Sequence, residues 1–300
     1  MSIVSELGYL GFGVSDLARW KDYATGVIGA EWIEEAEVAY LRVDLWHHRI
    51  ALHRDASDDL LYMGWRVSDA AALREMAHRL NAAGIAFSVA SAAEAAERRV
   101  LGMLKLVSPG GIAQEIFWGP QVDAQRPFHP GRPLFGRFKT GVDSGFGHVA
   151  IRETGAAADF YRVLGLKGDV EYKVELPGGV VATPVFMHCN QRQHSIAFGL
   201  GPLPKRCHHL MFEYTEVHDL GIASDLARKR RVPFTMSLGT HSNDGALSFY
   251  TESPSGWQVE LGWDVKPPPL HQQYYVEDIF GHGVGENLDE GGYGISADQQ

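Results

Sequence analysis

The sequence predicts an α+β fold of four βαβββ modules in tandem, paired into two domains, and three observations predict it. Helical signals are short and few, strand-like alternation fills most of the remainder, and the order of strand, helix and further strands recurs after about 140 residues. In chain order, Gly8-Tyr9-Leu10-Gly11-Phe12 reads as a strand. Ser15-Asp16 then caps an apolar pattern, Leu17, Trp20, Tyr23 and Val27, that stops at Gly29. Tyr40 to Leu45 alternates as a strand should, Tyr62 to Trp65 begins another, and Ser68-Asp69 opens a helix through Leu73, Met76, Ala77 and Leu80 that ends between Asn81 and Gly84.

The second half repeats this plan. Gly147-His148-Val149-Ala150-Ile151, leading into a helix that reaches Leu164-Gly165, matches Gly8 to Phe12 at an offset of 139 (147 − 8). His209-Leu210-Met211-Phe212 through Pro233-Phe234 matches Tyr62 through Phe87 at 147 (209 − 62), and Ser253-Pro254-Ser255-Gly256 with Glu260-Leu261 matches Ser108 to Ile116 at 145 (253 − 108). Three matches in one order, at nearly constant spacing, indicate a duplicated unit. The proline-rich stretch Arg126-Pro127-Phe128-His129-Pro130-Gly131-Arg132-Pro133 suits a join, so the expected domains are 1–135 and 136–300.

Composition limits the function. With 300 residues, 45% hydrophobic and 21% charged, the chain is ordinary globular material, large enough to bury about three-quarters of its unfolded surface. Two cysteines suit a reducing compartment, and the start lacks the basic and apolar regions of an export signal; a cytoplasmic protein without membrane spans is expected. A net charge of −10 with no basic block makes nucleic acid a poor partner.

The chemistry-bearing residues concentrate after the join, where nine of the fourteen histidines fall at or beyond His148. If Gly147–Ile151, His208–Phe212 and Trp257–Leu261 are strands, alternation turns His148, His209 and Glu260 away from their apolar neighbours and toward the inside of a curved sheet. Two imidazoles and a carboxylate are the facial set of non-haem iron(II), which leaves three adjacent positions open; zinc is the other metal such a set takes. The duplication supplies an internal control. At the matched positions the first half has Tyr9, Tyr62 and Glu115, and neutral phenols are poor ligands, so that half is expected to be metal-free and structural.

The run from Gly239-Thr240-His241 through Asn243-Asp244-Gly245, Ser248-Phe249-Tyr250 and Ser253-Pro254-Ser255-Gly256-Trp257 to Glu260 resembles the signature of the type I extradiol ring-cleavage dioxygenases of the vicinal oxygen chelate superfamily. Similar stretches extend over essentially the whole chain, among them Phe117-Trp118-Gly119-Pro120, Cys189-Asn190, His194 to Phe198, and Lys205 to His209. Asp169 to Tyr172 and the tail from Tyr274 to Val284 are most similar to the 1,2-dihydroxynaphthalene dioxygenases, with the 2,3-dihydroxybiphenyl dioxygenases next. One departure is Ser253, a turn position where the family more often has an acidic residue, Asn, Thr or Ala.

The resemblance implies that His148, His209 and Glu260 bind Fe(II), that His194 is the acid-base histidine, and that His241 and Tyr250 hydrogen-bond a catecholic substrate and O2. It implies a homo-oligomeric enzyme. Alone, His194 would more often be structural. Phe186 falls where the family has a substrate-pocket aromatic, although an aromatic in an apolar strand usually packs a core. Asn243 and Asp244 serve either a turn or the site, there by holding His241. His188, His208 and Cys207 read as structural. Two other readings of the same fold stand beside this one: a metal-dependent isomerase or lyase, and a binding protein for an aromatic ligand.

Overall fold

The computed structural model describes residues 3–176, 178–269 and 275–284. The first half forms one sheet from β1 (Val4–Val14), β2 (Glu31–Glu35), β3 (Val38–Arg42), β4 (Ile50–Arg54), β5 (Leu60–Val67), β6 (Phe87–Val89), β7 (Val100–Val107) and β8 (Ala113–Pro120), ordered β2-β3-β4-β1-β5-β8-β7-β6. In the second half come β9 (Gly147–Ile151), β10 (Lys167–Val170), the hairpin β11 (Val174–Leu176) and β12 (Val180–Ala182), β13 (Val185–His188), β14 (Ile196–Phe198), β15 (Cys207–Tyr214), β16 (Phe234–Thr240), β17 (Leu247–Glu252) and β18 (Gln258–Trp263). Without the hairpin, its order β10-β13-β14-β9-β15-β18-β17-β16 is that of the first sheet, strand for strand. Each sheet is therefore two βαβββ modules side by side.

Alternation sorts the strands' side chains onto two faces. Leu10, Phe12, Val149, Ile151, Leu210, Phe212, Val259 and Leu261 all enter one apolar core that runs without interruption through both halves. On the opposite face of the first sheet Tyr9, Tyr62, Trp46, Phe117 and Met103 form a smaller cluster of their own. The corresponding face of the second sheet holds polar groups instead.

The helices obey their caps. α1 (Leu17–Tyr23) begins with the Asp16 carboxylate accepting from Arg19 N, and α2 (Ala70–Ala82) with Asp69 accepting from Ala71 N and Ala72 N. The pattern expected to continue α1 to Gly29 does so as a π-helical turn, Ala24–Ile28, closed by Gly29 at φ +90°. Thr25 Oγ1 donates to Lys21 O at 2.7 Å, taking up a carbonyl that the α ladder would use, and the wider turn keeps both Val27 and Ile28 buried. α3 (Ala92–Glu97) carries a complete capping box between Ser91 and Glu94, a Ser-x-x-Glu signal the alternation reading passed over. The strand expected over Tyr40 to Leu45 stops at Arg42, because the Asp44 carboxylate turns back to accept from Trp46 N and from Arg49. α4 (Ala158–Leu164) and α5 (Val217–Lys229) repeat α1 and α2.

The halves grip each other through aromatics. Phe12 stacks on Trp257 with centroids 4.4 Å apart, Trp20 packs on the same indole and donates to Ser255 Oγ, and the Tyr23 hydroxyl bonds Thr251 Oγ1 at 2.7 Å. Trp257→Ala should therefore cost about 3–5 kcal/mol, the range for emptying a buried indole site. In urea the unfolding midpoint should fall with little change in m. A loss below about 1 kcal/mol would mean the halves hold together without this contact.

Candidate active site

β9, β15 and β18 lie side by side in the second sheet, and register brings one polar residue from each to the same level. Met211 faces His148 on one side and Glu260 on the other, with His209 two positions along. As a result His148 Nε2 lies 3.1 Å from His209 Nε2, while Glu260 Oε2 lies 3.0 Å from the first and 3.6 Å from the second. All three side chains are buried.

These groups fit a divalent cation. Two ligand atoms at right angles about a metal, each at the ~2.1 Å usual for imidazole nitrogen or carboxylate oxygen, are separated by about 3 Å, close to the edges seen here. Neither oxygen of Glu260 is in a hydrogen bond despite full burial, and a buried carboxylate without donors is costly unless a cation satisfies it. Burial alone would raise its carboxyl, but His148, His209 and His241 hold it well below the usual carboxylate range. Burial, in turn, keeps His209 well below the usual histidine range, in the neutral form a ligand needs.

His208 departs from the sequence reading. Regular alternation would put it on the strand face opposite His209, yet it lines the same cavity, with the two Nδ1 atoms 2.7 Å apart. The cause is an irregularity in the β15–β9 register between Cys207 and His209, which breaks the alternation there. With its Nδ1 engaged by His208, His209 keeps its Nε2 turned toward His148 and Glu260.

His194, placed just before β14, lies with its ring 3.9 Å from that of His148 and is fully enclosed, so burial depresses its pKa. Its Nδ1 is 2.5 Å from Gln193 Oε1. Phe186 on β13 meets His194 edge-on at 4.9 Å and lines the cavity rather than the core. Across from it, His241 Nε2 is 2.7 Å from the Tyr250 hydroxyl, whose ring stands edge-on to His209. Burial, with Glu260 next, pushes the Tyr250 hydroxyl up.

The carboxylate behind His241 is Asp278, from a tail the strand pattern did not assign. Tail residues 279–283 lie along the free edge of β16, with Ile279 N donating to Thr240 O, Thr240 N to Phe280 O and Ser237 N to Gly283 O. This sets Asp278 Oδ1 2.9 Å from His241 Nδ1 and Oδ2 2.7 Å from His282 Nδ1. Burial works against a charge on His241, but Asp278 and Glu260 outweigh it and raise its pKa to about 9. Of the tail from Tyr274 to Val284, Tyr274 lies outside the described residues.

Asn243 and Asp244 do not hold His241 through their side chains. Asp244 Oδ1 accepts from Ala246 N as a turn residue does, and the carboxylate is buried against His148 and His194. Asn243 lines the cavity and donates to Glu171 at 3.0 Å. Glu171, Gln193, Asp278 and His282 were missed from sequence, where only the four-residue spacing of Asp278 and His282 offered a sign.

Above these groups lies a cavity of about 280 Å³ whose other walls are Tyr172, Val174, Pro184, Leu200 and Met236. Polar groups thus collect at one end of an apolar slot. In the first half, Glu115 accepts instead from the Tyr9 hydroxyl at 2.6 Å and from Arg98 Nε at 3.0 Å, with the guanidinium 3.7 Å above the Tyr62 ring.

Comparison with known proteins agrees with this arrangement. The model of the Glyoxalase/Bleomycin resistance protein/Dioxygenase superfamily matches residues 145–261, and that of Dihydroxybiphenyl dioxygenase BphC D1 matches 7–54. A 1,2-dihydroxynaphthalene dioxygenase of Sphingobium xenophagum is 58% identical, over 94% of this chain and 96% of its own. A biphenyl-2,3-diol 1,2-dioxygenase of Sphingomonas paucimobilis is 54% identical over 98% of both. Among solved structures, a catechol 2,3-dioxygenase superposes with a TM-score of 0.93 at 55% identity, covering 99% of this chain and 98% of that one.

Proposed function

This chain belongs to the extradiol ring-cleavage dioxygenases of the vicinal oxygen chelate superfamily, and from that premise we propose that it cleaves a fused bicyclic catechol, 1,2-dihydroxynaphthalene, with both atoms of O2 at an iron(II) held by His148, His209 and Glu260. The observation that carries the reading is the cavity, with the three candidate ligands at its polar end and apolar walls beyond. When bound, the iron supplies a seat for both catechol oxygens and a route for electrons from the ring to O2.

The chain's own residues do the rest. His194, neutral and enclosed, takes a proton from the catechol and returns it as the ring opens; a positioned histidine of this kind contributes about 100- to 10,000-fold. His241, charged against Asp278, donates its Nε2–H to the Tyr250 oxygen and so leaves the Tyr250 hydroxyl proton for the site. Phe186, Tyr172, Val174 and Met236 exclude water and flank the second ring.

We read residues 136–300 as the catalytic domain and 1–135 as a metal-free one, Arg98 standing on Glu115 as its cation. Among the described residues no helix is long and apolar enough to cross a membrane, and the two free thiols, Cys189 and Cys207, are what favours a cytoplasmic enzyme. Exposed Val89, Leu101 and Val107 on the first sheet offer apolar surface for a homo-oligomer.

Competition among catechol, 2,3-dihydroxybiphenyl and 1,2-dihydroxynaphthalene, with anaerobically iron-loaded protein and autoxidation subtracted, tests the substrate. A second ring buries on the order of 100 Å², worth about 2–3 kcal/mol, so kcat/KM should favour it over plain catechol by about 30- to 150-fold. The fused ring should lead the biphenyl. Highest kcat/KM for plain catechol would remove the bicyclic assignment.

A further inference from the structure

Glu171 stands outside the groups used so far, and its carboxylate is largely enclosed between two amides. Its Oε2 accepts from Gln193 Nε2 at 2.7 Å and from Asn243 Nδ2 at 3.0 Å. The same Gln193 turns its Oε1 to His194 Nδ1 at 2.5 Å. An amide has one accepting and one donating end, and an ionised carboxylate can only accept. Glu171 therefore dictates which end of Gln193 faces it, and Gln193 dictates which nitrogen of His194 carries the proton.

We propose that Glu171 and Gln193 are positioning residues that lock His194 in the Nδ1–H tautomer, leaving the Nε2 lone pair free to receive a proton from substrate. This rests on the reading of His194 as the proton-transfer group, but the lock itself is a property of the protein without substrate. Burial lifts the Glu171 carboxyl to about 7, and a proton on Oε1 would leave Oε2 accepting both amides, so the lock needs the acceptor rather than the charge. The geometry also ties two sides of the site together. Asn243 lies two residues beyond His241, so one oxygen anchors both the support of His194 and the turn that follows His241.

The lock is read directly by nitrogen NMR of [15N]histidine protein loaded with zinc(II), which is diamagnetic, with His194 assigned by its loss in His194→Ala. His194 should show Nδ1 protonated and Nε2 unprotonated in the wild type and in Glu171→Gln, whose carbonyl can accept both bonds. In Glu171→Leu it should become a mixture of tautomers. In the iron-loaded enzyme, Glu171→Leu should lower kcat about 10- to 100-fold, the usual loss when a group orienting a site residue is removed, with KM for the catechol little changed. Glu171→Gln should restore it.

A double-mutant cycle separates this from a general loss of structure. If Glu171 acts through Gln193, then Glu171→Leu should cost less than about 2-fold in a Gln193→Leu background. A wild-type His194 protonated at Nε2, an unchanged tautomer in Glu171→Leu, or full additivity in the cycle would each overturn the lock. Loss of turnover in His194→Ala bears only on the underlying reading.

Discussion

His209→Ala should bind no iron. The wild-type chain should hold about one iron after anaerobic loading and desalting, and the variant below about 0.1, measured by elemental mass spectrometry alongside protein concentration. The three candidate ligand atoms lie within 3.6 Å of one another, and removing one leaves a single imidazole beside a carboxylate. Loss of a group merely supporting a ligand already weakens metal sites about 10- to 100-fold, so loss of a ligand should cost more. His209 lies in the cavity wall, on the strand face opposite the core residues Leu210 and Phe212, so the fold should survive. Tyr62→Phe, at the matched position of the first half, should leave iron content unchanged, since Glu115 there already has Arg98. Two irons per chain in the wild type, or metal retained in His209→Ala, would sink the ligand assignment.

The other large effect is expected at His194, where metal and chemistry should separate. His194→Ala should keep its iron and still bind catechol, seen anaerobically by a change in absorbance, yet turn over about 100- to 10,000-fold more slowly. The imidazole packs against His148 at a tilt but is outside the His148, His209, Glu260 triangle, so its removal should spare the proposed ligands while taking away the proposed base next to them. Near-normal kcat at saturating O2 would refute the role.

Much of the architecture was legible because a duplication writes the same pattern twice. The strand carrying Tyr9 and the strand carrying His148 occupy equivalent places in sheets of identical order, so each half checked the other. The same two-residue alternation that separated His148 and Glu260 from Val149 and Val259 separates core from cavity in the fold. It failed where the backbone departs from regular pleat. The register shift at Cys207–His209 brings His208 to the side it should have left, and Asp44 ends a strand whose side-chain pattern continues. Long-range polar partners lay beyond pattern altogether. Glu171 is 22 residues from Gln193 and 72 from Asn243, and Asp278 is 37 from His241, separations along which no periodicity runs.

Arg98 on Glu115 also bears on how freely the two copies can exchange roles over evolutionary time. In the first half a tethered side chain now occupies the cationic position, supported by the Tyr62 face and immediately following the helix capped by Ser91. Restoring histidines at Tyr9 and Tyr62 alone would leave that guanidinium in competition with any incoming ion. Removing Arg98 first would strand a buried Glu115, whose carboxyl burial already pushes upward. Each single substitution toward a second His-His-Glu cluster would thus leave a buried charge either contested or unpaired, and one arginine sets that order of difficulty.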